Sequence, residues 1–249
     1  MKIQLVSYIL DLEANDKINI TADIINNSKA DLIFFPGNTL DSISDAFEVE
    51  KLVKNRKSTA LIEVSQMSIG DLTTEIIHCP FLIKNGKLIN MHTFQHFTTS
   101  DVIENNLFLA EAFVNELETR RKFEVDGKKC LLLQCGENNI LKNIQSDDNN
   151  VVVRIDDKSL VKRFNNVLKE TDIILNSIHN PQPGNQNKLH KRREFFSKNA
   201  RAYFSTNNCD ELSSTAKSIQ YAYINGKQID NPEPIIEEKG LYMYRMYEV

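Results

Sequence analysis

The chain has 249 residues, 41% of them hydrophobic and 26% charged, with a formal net charge of -4. That length can bury the core of one α/β domain, residues 1–249, and so mild a charge gives no electrostatic reason to bind nucleic acid or an anionic membrane. The apolar N-terminus is too short for a signal sequence, no later run spans a membrane, and the four cysteines form no Cys-x-x-Cys pair; a cytoplasmic protein without disulfide framework, zinc knuckle or cofactor is expected.

In chain order, apolar runs at Lys2 to Leu10, Asp31 to Phe35 and Ser58 to Val64 read as strands. Between them, Asn15 to Asn27 and Asp41 to Lys54 carry apolar residues at helical spacing, which sets an α/β rhythm. Glu75 to Lys84 and Lys87 to Met91 flank Asn85-Gly86, a type I′ hairpin signal, and Asp126-Gly127 marks a second hairpin. A helix is expected between the hairpins over Asp101 to Arg120. A strand at Val151 to Ile155, a helix from Ser159 to Lys169 and a strand at Asp172 to Asn176 resume the rhythm. A polar loop then runs from Ser177 to Asn187, followed by a helix at Lys188 to Asn199 and a strand at Ala202 to Thr206. A last hairpin turns at Asn225-Gly226, and a final strand lies near Leu241 to Tyr247.

The segment Lys128 to Asn139 carries the most chemistry, because a buried-looking strand delivers Cys135 into an abrupt polar turn. A thiol so placed can face a pocket as a nucleophile, although many free cysteines are simply small buried hydrophobes. The basic cluster Lys188, His190, Lys191, Arg192, Arg193, Lys198 and Arg201 could contact phosphate, but Phe195 and Phe196 interrupt it. A solvated helix face is the preferred reading. Asn180 to Asn187 reads as a surface loop.

Three segments, taken in order, resemble the nitrilase, or carbon-nitrogen hydrolase, superfamily, and the likeness runs in outline from Met1 to about Gly226. Ala30-Asp-Leu-Ile-Phe-Phe-Pro36 is similar to the family strand that ends in Phe-Pro-Glu, whose glutamate is the general base. Gly86 to Phe97 resembles the hairpin that supplies the catalytic lysine in a Tyr-x-Lys-x-His-Leu segment. Phe123 to Glu137 looks like the nucleophile hairpin and places Cys135 on the nucleophile position. Asp172 to Ser177 and Ala202 to Asn208 are similar to later elements. The resemblance implies a four-layer α-β-β-α sandwich with two mixed β-sheets, and pairing into a homodimer through outer helices.

Two triad positions depart from the family. Gly37 stands where the glutamate is expected and Phe94 where the lysine is expected. Neither can move a proton or hold an oxyanion, and loss of a base typically costs about 10²- to 10⁴-fold. His92 and His96 flank Phe94 at two-residue spacing, so on a strand they would share its face and could activate Cys135 in its place. Both also fit structural roles. Glu137 is a further candidate acid, although capping or binding backbone amides is the commoner use of a carboxylate in a turn. The sequence therefore favours a non-catalytic member that binds a small molecule or a protein through the old pocket. The alternative is an amide or nitrile hydrolase using Cys135 with His92 or His96. No metal is expected.

Overall fold

The computed structural model describes residues 1–9, 12–67, 76–179, 186–209, 219–237 and 239–249. The expected polar loop lies outside the described residues over 180–185, as do the expected strand ends at Leu10, Glu75 and Ser218. The first half runs β1 (Lys2–Tyr8), α1 (Ala14–Asn27), β2 (Leu32–Phe34), α2 (Ile43–Leu52), β3 (Thr59–Met67), β4 (Ile76–Lys84) and β5 (Lys87–Asn90). It continues through α3 (Ser100–Ile103), α4 (Leu107–Thr119), β6 (Lys122–Val125), β7 (Lys128–Leu133), a 3-10 turn over Glu137–Ile140, β8 (Leu141–Ile144) and β9 (Asn150–Val153). The remainder is α5 (Lys158–Lys169), β10 (Ile173–Ile178), α6 (Gln186–Ser197), β11 (Ala202–Asn207), β12 (Gln220–Ile224), β13 (Lys227–Gln228), β14 (Ile235–Ile236) and β15 (Tyr242–Glu248).

Local chemistry places most of these boundaries. Ser42, Asn106 and Asp157 cap α2, α4 and α5 by accepting from Asp45 N, Leu109 N and Leu160 N. The hairpin turns at Asn85-Gly86, Asp126-Gly127 and Asn225-Gly226 all have positive φ at both central residues, the I′ geometry expected from their sequences. The helix expected over Asp101 to Arg120 is interrupted: Asn105 adopts φ 61°, and α3 and α4 are separate. The strand expected at Val151 to Ile155 joins neither large sheet. It is β9, paired only with β8 in a two-stranded ribbon.

Among the described residues the strands form a seven-stranded sheet, in order β14-β15-β1-β2-β3-β4-β5, and a six-stranded sheet, in order β13-β12-β11-β10-β7-β6. β1, β2 and β3 are mutually parallel, as are β7, β10 and β11, with antiparallel strands at the margins. Period-two alternation separates the layers. Leu5, Leu61, Leu132, Leu175 and Phe204 meet between the sheets. Ile33 and Ile62 turn outward onto Ile25 of α1 and Val49 of α2, while Leu131 and Tyr203 turn outward onto α4, α5 and α6. The result is the four-layer α-β-β-α sandwich.

On the inward positions of five central strands the apolar filling stops at the C-terminal end. Leu5 gives way to Ser7, Leu61 to Glu63, Leu132 to Gln134, Leu175 to Ser177 and Phe204 to Thr206, and all five polar residues are buried. Ser7 Oγ and Thr206 Oγ1 meet across the two sheets at 3.0 Å. The fold thus gathers a polar patch at one end of its inter-sheet core.

Candidate functional site

Glu63 is the centre of this patch and is 2% exposed. Its Oε1 accepts from the Asn38 backbone N–H at 3.1 Å and lies 2.6 Å from His179 Nε2. Its Oε2 accepts from Ser177 Oγ at 2.9 Å and Gln134 Nε2 at 3.2 Å, so strands of both sheets hold one carboxylate. Burial alone would raise its pKa, but the His179 hydrogen bond, the charges of His179 and His78, and Gln134 reverse the effect and bring it to about 2.

His179 follows β10 directly. Burial disfavours its charge, but hydrogen bonds to Cys135 and Glu63, together with the negative charge of both, raise its pKa to about 10. His179 is therefore hydrogen-bonded to a buried, ionised carboxylate, with the expected nucleophile among the groups that raise its pKa. His78, on β4, stacks against His179 with ring centroids 3.9 Å apart, and its Nδ1 lies 3.2 Å from Ser65 Oγ. Burial and the His179 charge push the His78 pKa below its ordinary value against the pull of Glu63.

Gly37 explains how His179 fits. A Cβ built there would meet His179 Cδ2 at 2.1 Å, His179 Nε2 at 2.9 Å and Glu63 Oε1 at 3.1 Å. The space beside the position where the resembling family carries its glutamate is thus filled by an imidazole with a carboxylate behind it. Gly37 is also held by its backbone, donating to Ile178 O at 3.1 Å and accepting from Asn208 Nδ2 at 2.8 Å.

The other residues singled out from sequence occupy different places. Residues 91–97 form no strand, so His92, Phe94 and His96 do not share a strand face. His92 is exposed, with φ 53°, and Phe94 is 49% exposed, in a hollow with Ile77 and His78 rather than in the cavity of Cys135. His96 stacks on Phe94, and its Nε2 lies 3.1 Å from Glu116 without the alignment of a hydrogen bond. Glu137 is fully buried and engaged by Arg121 through both carboxylate oxygens, and it also accepts from Gln134 N at 2.8 Å and His96 N at 3.0 Å. It organises backbone.

Sequence reasoning missed both His179 and Glu63. The available signal was the inward face of the strands: Glu63 interrupts Leu61-Ile-Glu-Val64 on the parity of the buried Thr59 and Leu61.

Glu63, His78 and His179 also bring three metal-ligating atoms within 4.8 Å of one another. Two donors on a tetrahedral zinc, with bonds of ~2.0–2.1 Å, stand roughly 3.3 Å apart. His179 Nε2 and Glu63 Oε1 at 2.6 Å are instead packed as a hydrogen-bonded ion pair. A metal would have to force that pair open.

No protein-family model matches the chain, and no curated protein sequence does. Solved structures do. A glutamine-dependent NAD+ synthetase from Acinetobacter baumannii superposes on 100% of the chain with TM-score 0.55 and 11% identity, and the chain spans 47% of that protein. A point mutant of the Nesterenkonia AN1 amidase, from the nitrilase superfamily, covers 99% of the chain and 90% of its own length, with TM-score 0.56 and 8% identity. XC1258 from Xanthomonas campestris, a CN-hydrolase superfamily protein with an arsenic adduct in its active site, covers 100% of the chain and 90% of its own length, with TM-score 0.56 and 10% identity. At such identities the likeness is one of architecture: the chain has the fold of the nitrilase-superfamily CN-hydrolases.

Proposed function

We propose that the protein is a thiol-dependent hydrolase of amide-type carbon-nitrogen bonds, with Cys135 as nucleophile, His179 as proton carrier and Glu63 as the group that holds His179. The observation that carries this reading is His179 Nε2 2.6 Å from the buried Glu63 carboxylate, in space that only glycine at position 37 leaves open, with the Cys135 thiol among the groups that raise the His179 pKa. A cysteine beside an imidazolium is an established way to activate a thiol. It supplies from other residues what Gly37 and Phe94 lack.

In the reaction, the Cys135 sulfur attacks the acyl carbon and the carbonyl π pair moves to oxygen. The backbone N–H of Gly136, next in the chain to the nucleophile, is the donor assigned to that oxyanion. His179 gives its proton to the leaving nitrogen, the C–N bond breaks, and a thioester forms. Neutral His179 then takes a proton from water, the resulting hydroxide attacks the thioester, and collapse releases the carboxylic acid and restores the sulfur with protonated His179. Glu63 stays ionised throughout and fixes the ring's orientation. The products are one amine and one acid for each amide and water consumed.

The test is a panel of small amides, nitriles and N-carbamoyl compounds, with intact-mass detection of a thioester or thioimidate on Cys135. Turnover is expected to vanish in Cys135→Ala, to fall about 10²-fold or more in His179→Gln, and to persist in His92→Ala. Iodoacetamide labelling of Cys135 at pH 7 should slow on the order of 10-fold in His179→Gln. No turnover on the whole panel, together with equal labelling of wild type and His179→Gln, would return the chain to the non-catalytic binding role that the sequence favours.

A further inference from the structure

The basic cluster on and after α6 is a solvated face only in part: Lys188 and Lys198 are exposed. Arg192, Arg193 and Arg201 are buried, and among the described residues none of the three makes an ion pair. Arg201 is spent on main-chain carbonyls of Phe196, Leu168 and Phe195, and Arg192 on the side-chain oxygens of Asn143 and Asn139. Arg193 differs. It is 2% exposed, its Nη1 donates to Gln186 at 3.1 Å, its guanidinium lies 3.7 Å over the Tyr221 ring and beside the Tyr203 and Tyr223 hydroxyls, and among the described residues its Nε has no hydrogen-bond partner. A buried guanidinium without a carboxylate and with an unused N–H is costly unless something anionic completes it.

Arg193 lines the same cavity as Cys135, together with Asn138, Asn176, Asn207 and Tyr221. Two of those neighbours present further buried atoms without a partner among the described residues, Asn138 Oδ1 and Asn207 Oδ1. The cavity is lined by Arg192, whose donors are taken by Asn139 and Asn143, and by Arg193, whose Nε–H is unused; it also offers two acceptors that need an N–H or O–H.

We infer that this cavity is a carboxylate subsite, in which Arg193 takes the free acid of the substrate while Asn138 and Asn207 accept from an amino, amide or hydroxyl group beside it. The inference rests on Cys135 being the reactive centre and narrows the substrate class to small amides that carry a carboxylate. The unused Nε–H of Arg193 can donate to a carboxylate as a charge-assisted hydrogen bond, and Tyr221 holds the guanidinium plane in place.

The experiment compares two probes that differ only in charge, iodoacetate and iodoacetamide, for their rates of alkylating Cys135. Wild type is expected to prefer iodoacetate, with saturation. The iodoacetate-to-iodoacetamide ratio should fall about 10-fold or more in Arg193→Gln and recover in part in Arg193→Lys. Succinate should protect Cys135 of wild type from the uncharged iodoacetamide in a saturable way, while sodium chloride of equal ionic strength should not, which keeps the test open if the arginine variants misfold. A wild-type ratio below one with no succinate protection overturns the subsite. Failure of the His179-dependent labelling described above overturns the catalytic reading instead, because it is measured with the uncharged probe alone.

Discussion

At the scale of single residues, the absent side chain at Gly37 decides where the His179 ring can lie. The nearest ring atom would stand 2.1 Å from an added Cβ, well inside contact distance, so the ring must move if anything larger than glycine is placed there. Gly37→Ala is therefore expected to slow iodoacetamide labelling of Cys135 on the order of 10-fold while costing about 1–3 kcal/mol in stability. Gly37→Glu, which writes in the residue of the resembling family, should be worse rather than restorative. Labelling of Gly37→Ala at the wild-type rate would mean that His179 does not govern the thiol. Gly136 is constrained in a second way: its φ is 80°, and a Cβ there would lie 2.3 Å from Thr98 O.

At the scale of elements, the nucleophile turn is fastened to the irregular segment after β5 by a buried ion pair. Arg121 donates from Nε to Thr93 Oγ1 at 2.9 Å, from Nη2 to Phe94 O at 2.7 Å, and to both oxygens of Glu137. Glu137 in turn accepts from the backbone of Gln134 and His96, and Gln95 Nε2 donates to Cys135 O. Removing one partner strands the other charge in the core, which typically costs about 3–5 kcal/mol. Arg121→Met should thus lower the thermal midpoint on the order of 10 °C for a chain of this size. A change of one or two degrees would show that water reaches Glu137 and that the clamp contributes little.

At the scale of the whole molecule, the Glu63–His179 pair predicts a pH window. Glu63 is depressed from 4.5 to about 2, so its contribution is fully present above 4.5 and is lost as pH falls through about 2. His179 is raised from 6.5 to about 10, so its contribution is fully present below 6.5 and is lost as pH rises through about 10. Both describe one ion pair, whose contribution is therefore complete between about 4.5 and 6.5 and declines on either side. Urea midpoints of wild type and His179→Gln should differ most near pH 6 and converge toward pH 10. A difference that stays constant across that range would exclude a charged His179.

The sequence by itself determined the hairpins, most of the strands and the turn that carries Cys135, because these depend on short-range patterns, while the sandwich followed from the family resemblance of those segments. Asn-Gly and Asp-Gly turns fix hairpins through positive φ, period-two runs fix strands, and the order of Phe35-Pro36, the hairpins and the nucleophile strand carried the family likeness. The break at Asn105 and the separate ribbon of β8 and β9 were not legible, since a helical or strand pattern does not say where a polar residue turns the chain or which sheet a strand will join. Nor were the partners of Cys135. Glu63 is 72 residues before it and His179 44 after it in the numbering, and only the closure of two sheets at their C-terminal ends brings them together. The same holds for Arg193, whose burial against Tyr221 depends on how α6 packs rather than on the charges around it in the chain. Local pattern sets where a side chain points along its own strand or helix; which groups it meets there is decided by long-range packing.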